Sequence, residues 1–525
     1  MLHTKDYKRF KVIYEDGRLY SFEGAGSAKP ALPGDIVEMK CGMVYSVKCR
    51  TKHGPFVGVL ELASKIRFGM TSRNVPIYRF TPFHQAYPPF FVGCSQKDTS
   101  KNMIALVAFS EWDKGTCPRG NLVQIYGPSG HIPSEEQALL ANACLTTWKR
   151  GETENLSIPQ GIPGIFTTFG ETFHIDPPDC KDIDDAITIR TIIDTLVEVK
   201  IHIADVASWI LANPSLKKAA EIGQTYYKDG VAVKPMFPSH LSEDTFSLLP
   251  RQERQTVTLS FIWDTVEKSV STSPTWTIEK TTVQLSYTYI TVYKSPYAPI
   301  LRDITSCLAG RDITDSHEWV EQLMLYYNRT AAGILKGVGR GVLRRHAGKD
   351  LTRYAALEAI GLPADKLAMY GGEYCLCTDT DTRHWGLGLD IYCHATSPIR
   401  RWSDCINQTI LRRHILPNGL ALLPDDIDAV DALNKSSKNV KGFERDVHFV
   451  LLLLGGIPNE PMDAIITEIT DVKTKLWIPS WNRIITSYSV QEASKPGDKV
   501  VATFFADPTQ RAWKQRIVIR FTAIS

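Results

Sequence analysis

Short stretches of alternating apolar and polar residues open the chain, as in FKVIY (10–14) and IVEMK (36–40), and Asp16-Gly17 and Pro33-Gly34-Asp35 break them. A period of two between Gly/Pro turns predicts a small antiparallel barrel over residues 1–54. FVGVLEL (56–62), NMIALVAF (102–109) and NLVQIYG (121–127) predict a second barrel over 55–150. The same pattern returns in DAIITEI (463–469), KLWIPSW (475–481), DKVVATFF (498–505) and QRIVIRF (515–521), predicting a third barrel over 456–525. The middle, 151–455, mixes periods. LVEVKIHIADV (196–206) alternates as a half-buried strand ending near Asp205, whereas Trp319, Leu323, Tyr327, Ala331 and Ile334 recur at helical spacing and predict a core-facing stripe. Another helix is expected to start at Ser397-Pro398, with the serine hydroxyl as N-cap and proline in the first turn. The fold class read from these periods is an α+β domain flanked by three OB-like β-barrels, two before it and one after.

Composition narrows this picture. The 525 residues are 43% hydrophobic and 22% charged, as expected of folded globular domains. The longest strongly apolar run, HFVLLLLGGI (448–457), is too short to span a bilayer, and no charged-then-apolar leader opens the chain, so no membrane association is expected. Eleven scattered cysteines form neither a CxxC pair nor a disulfide framework, which fits an intracellular, reducing compartment, the cytoplasm first. Residues 1–54 carry ten Lys/Arg against six Asp/Glu and residues 456–525 nine against seven, whereas the net charge is only +3. Basic wings around an acidic middle suit a polyanion ligand.

Two segments carry chemistry. HIDPPDCKDIDDAITI (174–189) holds Asp176, Asp179, Asp182, Asp184 and Asp185 within ten residues. Carboxylates so crowded repel one another unless a cation neutralises them, and an all-oxygen ligand set selects a hard ion such as Mg²⁺, with Mn²⁺ as a substitute. HWGLGLDIYCHATSPIRRWSDCINQTIL (384–411) places Arg400 and Arg401 in the first turn of the expected helix, where cations oppose the helix dipole unless an anion joins them. Free helix N–H groups with two guanidinium forks predict a phosphate site, which Asp404 would orient. A carboxylate-bound metal beside a phosphate clamp is suited to phosphodiester hydrolysis.

HIDPPDCKDIDDAI resembles the catalytic signature of the RNase II (RNB) family, and HATSPIRRWSDC resembles that family's arginine-bearing helix. IHIADVASWI (201–210), KPMFPSHLSEDTFSLLP (234–250), QLMLYYNRTAAGIL (322–335) and LRRHAG (343–348) follow in the family's order. DPPxCxDIDD and LRRH are similar to the eukaryotic exosome-subunit branch, as is the segment 107–140 to its second cold-shock barrel and the C-terminus to its RNA-binding OB domain. The resemblance implies an RNB catalytic domain over 151–455 between cold-shock-like and OB barrels. It also implies a processive 3′-to-5′ exoribonuclease that hydrolyses single-stranded RNA to nucleoside 5′-monophosphates, with membership of an RNA-decay complex. Carried over by position, Asp176, Asp182, Asp184 and Asp185 become the metal ligands, Asp184 and Arg400 the catalytic pair, and Arg401 an RNA contact. Tyr226 or Tyr227 takes the place of a tyrosine that stacks on the 3′-terminal base, and Arg340 stands near the opposite jaw of that clamp.

The sequence departs from the family pattern at Trp402, at Asp404-Cys405 and at Gln408-Thr409, where the family continues with Tyr, Asp-Leu and His-Arg. No endonuclease domain is expected before the first barrel. The alternative reading is a decayed RNB fold acting as an RNA-binding scaffold or regulator; retention of four aspartates with both arginines speaks for activity.

Overall fold

A computed structural model of the chain describes residues 1–112, 115–159, 166–348, 350–367, 371–416, 426–455, 460–470, 473–487, 494–506 and 517–523. The chain divides into two units, one of residues 1–145 with 442–525 and one of residues 146–441. Among the described residues no helix is long and apolar enough to cross a membrane. All eleven cysteines are free thiols.

In the first unit, strands Leu2–Thr4, Arg9–Ile13 and Leu19–Glu23 form an antiparallel sheet, and Ile36–Lys40 pairs with Met43–Cys49. Alternation decides which face is inward: Phe10 and Val12 are buried while Arg9, Lys11 and Ile13 are exposed. These two sheets share a core of Leu2, Phe10, Val12, Leu32 and Trp112. The next five strands close into a barrel in the order Arg119–Pro128, Phe90–Gly93, Ile77–Pro82, Phe56–Leu60, Met103–Glu111. Phe80, Phe90, Val92 and Val107 fill it. Gly58 permits the closure, because a Cβ there would lie 2.2 Å from the Thr81 carbonyl. A third, five-stranded antiparallel sheet runs Arg483–Ser487, Lys473–Ile478, Met462–Thr470, Lys499–Ala506, Ile517–Ala523 over Ile466, Leu476 and Phe521. The expected strands at both ends of the chain are therefore present as OB-type sheets.

The second unit is α+β. Its sheet places Leu196–Ala204 between Asp185–Ile193 and Glu253–Asp264, with Thr275–Thr282 beyond the latter and Thr172–Ile175 beyond Asp185–Ile193. Val197, Val199, Ile201 and Ile203 are buried, as the alternation predicts. The helix Ser316–Val338 presents Trp319, Leu323, Tyr327 and Ala331 to the core, capped by Asp315 at one end and left-handed Gly339 at the other. The helix Trp402–Ile415 is buried along nearly its whole length, including Asp404, Asn407, Gln408 and Arg412. Asp404, Asn407 and Gln408 are each hydrogen-bonded. Asn407 bonds both backbone groups of Val342 and the His394 carbonyl, and Gln408 accepts from the Ala207 amide and donates to the Ala204 carbonyl. Gln408 at this departure from the family pattern thus ties the helix to the strand that ends at Ala204. Arg412 pairs with Asp205, which also caps the helix Val206–Ala212.

The start of the Trp402–Ile415 helix corrects the expectation. Ser397 does not cap it, and Pro398 does not open it. Ser397–Arg400 forms a tight turn in which the Ser397 carbonyl accepts from the amides of Arg400 (3.2 Å) and Arg401 (3.0 Å), and the helix begins at Trp402. The Ser397 amide donates to Asp404 instead (2.8 Å).

Candidate active site

The carboxylate loop grows out of the sheet. Thr172–Ile175 ends where the Asp176 amide donates to the Tyr287 carbonyl (3.1 Å). Pro177-Pro178 and a left-handed Asp179 (φ 62°), a conformation that Asp tolerates better than most residues, turn the chain back. Asp185 then opens the strand Asp185–Ile193, in register with Ile203. The Asp184 carbonyl accepts from the Ala204 amide (2.9 Å), which holds Asp184 at the sheet's end.

The arginine turn reaches the same place from more than 200 residues away. Asp184 Oδ1 accepts the Ile399 amide (2.9 Å) and its Oδ2 accepts from Arg400 Nε (3.3 Å). Arg400 also donates to the Ser397 hydroxyl (3.1 Å) and leaves 44% of its side chain exposed, so the guanidinium is held on one side and open on the other. Arg401 donates to Asp404 (2.8 Å). Segment 223–225 fixes the turn through its backbone: Thr225 donates to the Arg400 carbonyl and Trp402 to that of Gly223. The phosphate site expected from free helix N–H groups is therefore not formed. The carboxylates of Asp184 and Asp404 take the turn's amides, and the guanidinium groups are what remains to meet an anion.

Segment 223–225 leads directly into the tyrosine pair. Tyr226 is 1% exposed, in the core, whereas Tyr227 donates from its hydroxyl to Asp182 Oδ2 (3.4 Å). The structure brings Tyr227 to the site and turns Tyr226 away from it. Arg340 follows the C-terminal end of the helix Ser316–Val338 and is not part of the cavity wall described next.

Asp176, Asp185, Arg400 and Arg401 line a cavity of about 410 Å³, with Tyr289, Glu321, Asn328, His384, Tyr392 and His394. No sequence signal singles out these six as a group, because they come from three separate segments; only the fold gathers them. Asn328 is buried and donates to Tyr392 and Thr396 while accepting the Ala395 amide (2.8 Å), so it shapes the wall.

Charge is distributed unevenly. Burial pushes the Asp184 carboxyl up to about 7, against the pull of Arg400 and the Ile399 amide. Burial, reinforced by Asp176 and Asp184, raises Asp185 well above the carboxylate range. Burial also works against the Arg400 charge, but Asp184, Tyr227, Asp404 and Asp182 outweigh it and hold the guanidinium more firmly protonated than in water. Asp176 Oδ2 is hydrogen-bonded to His174 Nδ1 (2.8 Å). Among the described residues no three His, Cys, Asp or Glu side chains converge as a group that could hold a metal ion.

Comparison with known proteins agrees with the fold. An RNB domain model matches residues 168–295 and 364–416, and a Dis3-like cold-shock domain 2 model matches residues 77–144. The exosome complex exonuclease RRP44 of Mus musculus is 22% identical over 71% of this chain and 48% of its own length, so the chain spans about half the length of the curated relatives it matches. The apo form of Mycoplasma genitalium RNase R superposes with a TM-score of 0.73 at 16% identity, covering 97% of this chain and 98% of that one. Yeast Ssd1, described as a pseudonuclease, superposes with a TM-score of 0.66 at 14% identity over 97% of this chain and 82% of its own. The carboxylate loop and the arginine turn both lie inside the segments matched by the RNB domain model, and the match to a Dis3-like cold-shock domain 2 precedes them in the chain.

Proposed function

We propose that the chain is a 3′-to-5′ exoribonuclease that hydrolyses single-stranded RNA processively to nucleoside 5′-monophosphates. One observation carries this reading: Asp184 and Arg400, 216 residues apart, meet at 3.3 Å beside a cavity that also holds Asp176 and Asp185. A cavity of about 410 Å³ is of small-ligand size and suits the end of a single strand better than a duplex. The half-exposed Arg400 guanidinium would hold the scissile phosphate and the charge that develops on it. Tyr227, anchored on Asp182, would stack on the terminal base, and Arg401 would contact the RNA backbone.

Asp176, Asp182, Asp184 and Asp185 would hold Mg²⁺, or Mn²⁺ in its place. In chemistry the donor set suits such an ion, since all four are carboxylates and a cation would offset the burial and the repulsion that raise Asp184 and Asp185, but among the described residues no three of them converge as a ligand group. When bound, the ion supplies Lewis acidity and charge neutralisation at the phosphate. Association with an RNA-decay complex is part of the same proposal, motivated by the relative named as an exosome exonuclease.

The absence of a three-ligand group among the described residues favours one rival, an RNB-fold RNA-binding protein without nuclease activity. A single assay separates the two: purified chain with 3′-labelled, 5′-labelled and circular RNA, in Mg²⁺ or in EDTA. Metal-dependent shortening of both linear substrates from the 3′ end, with circular RNA untouched, is the expected result. RNA bound but intact in Mg²⁺ and in Mn²⁺ would establish the scaffold instead.

A further inference from the structure

The strand Val342–Arg345 runs behind the arginine turn, and its Arg344 amide donates to the carbonyl of Tyr392 (2.7 Å), a residue of the cavity wall. The Arg344 side chain is only 8% exposed and lies over the Tyr374 ring, 4.5 Å from its centroid. Gly372 leaves the space it needs, since a Cβ there would come within 3.2 Å of Arg344 Nε. Arg344 Nη1 is buried without a hydrogen-bond partner, and among the described residues no carboxylate pairs with it; the neighbouring Glu373 is taken by Arg345. Arg401 Nε is buried and unpartnered as well, and so is His384 Nδ1.

These orphaned donors lie close together. The rings of His384 and Tyr392 are 5.3 Å apart, those of Tyr392 and His394 5.6 Å, and His394 Nδ1 meets the Tyr374 hydroxyl at 3.0 Å. Burial and the positive charges of Arg401 and Arg344 hold His394 neutral. Asp404 is already engaged by the Ser397 amide, Arg401 and the Ser403 hydroxyl. Buried polar atoms without partners are costly, typically about 1–3 kcal/mol each and more for charged groups, and Arg344, whose charge meets no carboxylate among the described residues, points to a missing anion that Arg401 Nε and the neutral His384 imidazole would also bond. Guanidinium forks and an imidazole match phosphate oxygens in geometry as well as charge.

We propose that Arg344, Arg401 and His384 form a second phosphate subsite, separate from the Asp184–Arg400 pair, which takes the phosphodiester next to the reacting one in a bound strand. The occupant rests on the RNA reading above; the anion site itself does not. A phosphate on the strand and a free nucleoside monophosphate share this chemistry, and the test has an arm for each.

In the first arm, the full chain in EDTA binds fluorescent single-stranded RNA carrying one uncharged methylphosphonate linkage, moved stepwise from the 3′ end. Wild type is expected to lose about 10-fold or more in affinity at one internal linkage, as for a charge-assisted contact. In Arg344→Gln that linkage should cost nothing further, and the slope of log K against log salt should fall in magnitude by about 0.7. An unchanged slope and an undiminished linkage penalty would make Arg344 a packing residue and overturn the proposal. Should Arg344→Gln melt far below wild type, His384→Ala carries the linkage comparison alone, with no change of salt slope expected because that imidazole is neutral. In the second arm, inorganic phosphate and adenosine 5′-monophosphate are tested for thermal stabilisation. Stabilisation of wild type but not of Arg344→Gln, with RNA affinity unaffected by the substitution, assigns the subsite to a free monophosphate and overturns the strand as its occupant. If RNA does not bind at all, the RNA reading fails, and stabilisation by phosphate alone decides whether the anion site stands.

Discussion

The loop 174–185 and the turn 397–404 face one cavity but treat charge in opposite ways. On the loop, carboxylates crowd one another and burial leaves Asp184 and Asp185 reluctant to ionise. On the turn, Asp404 is fully bonded, and it is the Arg401 guanidinium, at Nε, that lacks a partner. One half concentrates carboxylates and the other guanidinium groups, and the two are joined where Arg400 meets Asp184. A polyanion arriving with a divalent cation would complete both halves at once, whereas either alone would leave one frustrated.

The sharpest way to break this comparison is Asp184→Asn, which removes the charge at the junction. Hydrolysis should fall by at least about 10³-fold while RNA affinity, measured in EDTA, stays the same or tightens, because the channel remains. Cleavage near the wild-type rate would discard the metal assignment. Arg400→Ala takes away the other side of the junction. A loss of about 10²-fold in kcat with a smaller change in RNA affinity is expected, as for a group that acts on developing charge. An effect confined to affinity would reduce Arg400 to ordinary phosphate binding.

The tyrosines sharpen the comparison further, since the fold assigns them different work. Tyr227→Ala should release longer end products, visible on high-resolution gels, because base stacking contributes about 1–3 kcal/mol. Tyr226→Ala should instead lower stability by about 3–5 kcal/mol through the cavity it leaves, with end products unchanged in any folded fraction. Reversal of the two outcomes would put the wrong tyrosine at the site.

The smallest effect concerns the sheet beneath both halves. His202, fully buried among Thr188, Thr258 and Thr281, is pulled down to about 3, chiefly by burial. The unfolded chain takes up this proton near pH 6.5 and the folded chain does not, so stability is complete above pH 6.5 and declines as pH falls from there towards 3. Urea titrations across that window should show the decline, and His202→Gln should make it shallower. An identical slope in the variant would exclude His202 as its source.

Much of this was legible in the sequence, for reasons that differ by residue. The strand at 196–204 and the stripe from Trp319 to Ala331 follow from periodicity, which reports burial directly. The aspartates and arginines were visible because charges are seldom clustered without cause. The start of the Trp402–Ile415 helix is not legible because Ser-Pro is a good helix opening locally, while the competing partner of the Ser397 amide, Asp404, is visible only in three dimensions. The tyrosine pair could not be resolved either: adjacent strand residues face opposite ways, and the register shift between Tyr226 and Tyr227 depends on their pairing with Val231–Lys234. Arg344 falls within the LRRH stretch, but nothing there marks it for a role, since an unpaired donor has no signature in sequence.

The contact between Asp184 and Ile399 spans 215 residues of chain. At a translation rate of about 5–20 residues per second, the carboxylate loop leaves the ribosome roughly 10–40 s before the turn that completes it. Throughout that interval the nascent chain carries its acidic residues without their arginine. The two halves of the site therefore meet only after the whole intervening sheet and helices have been made.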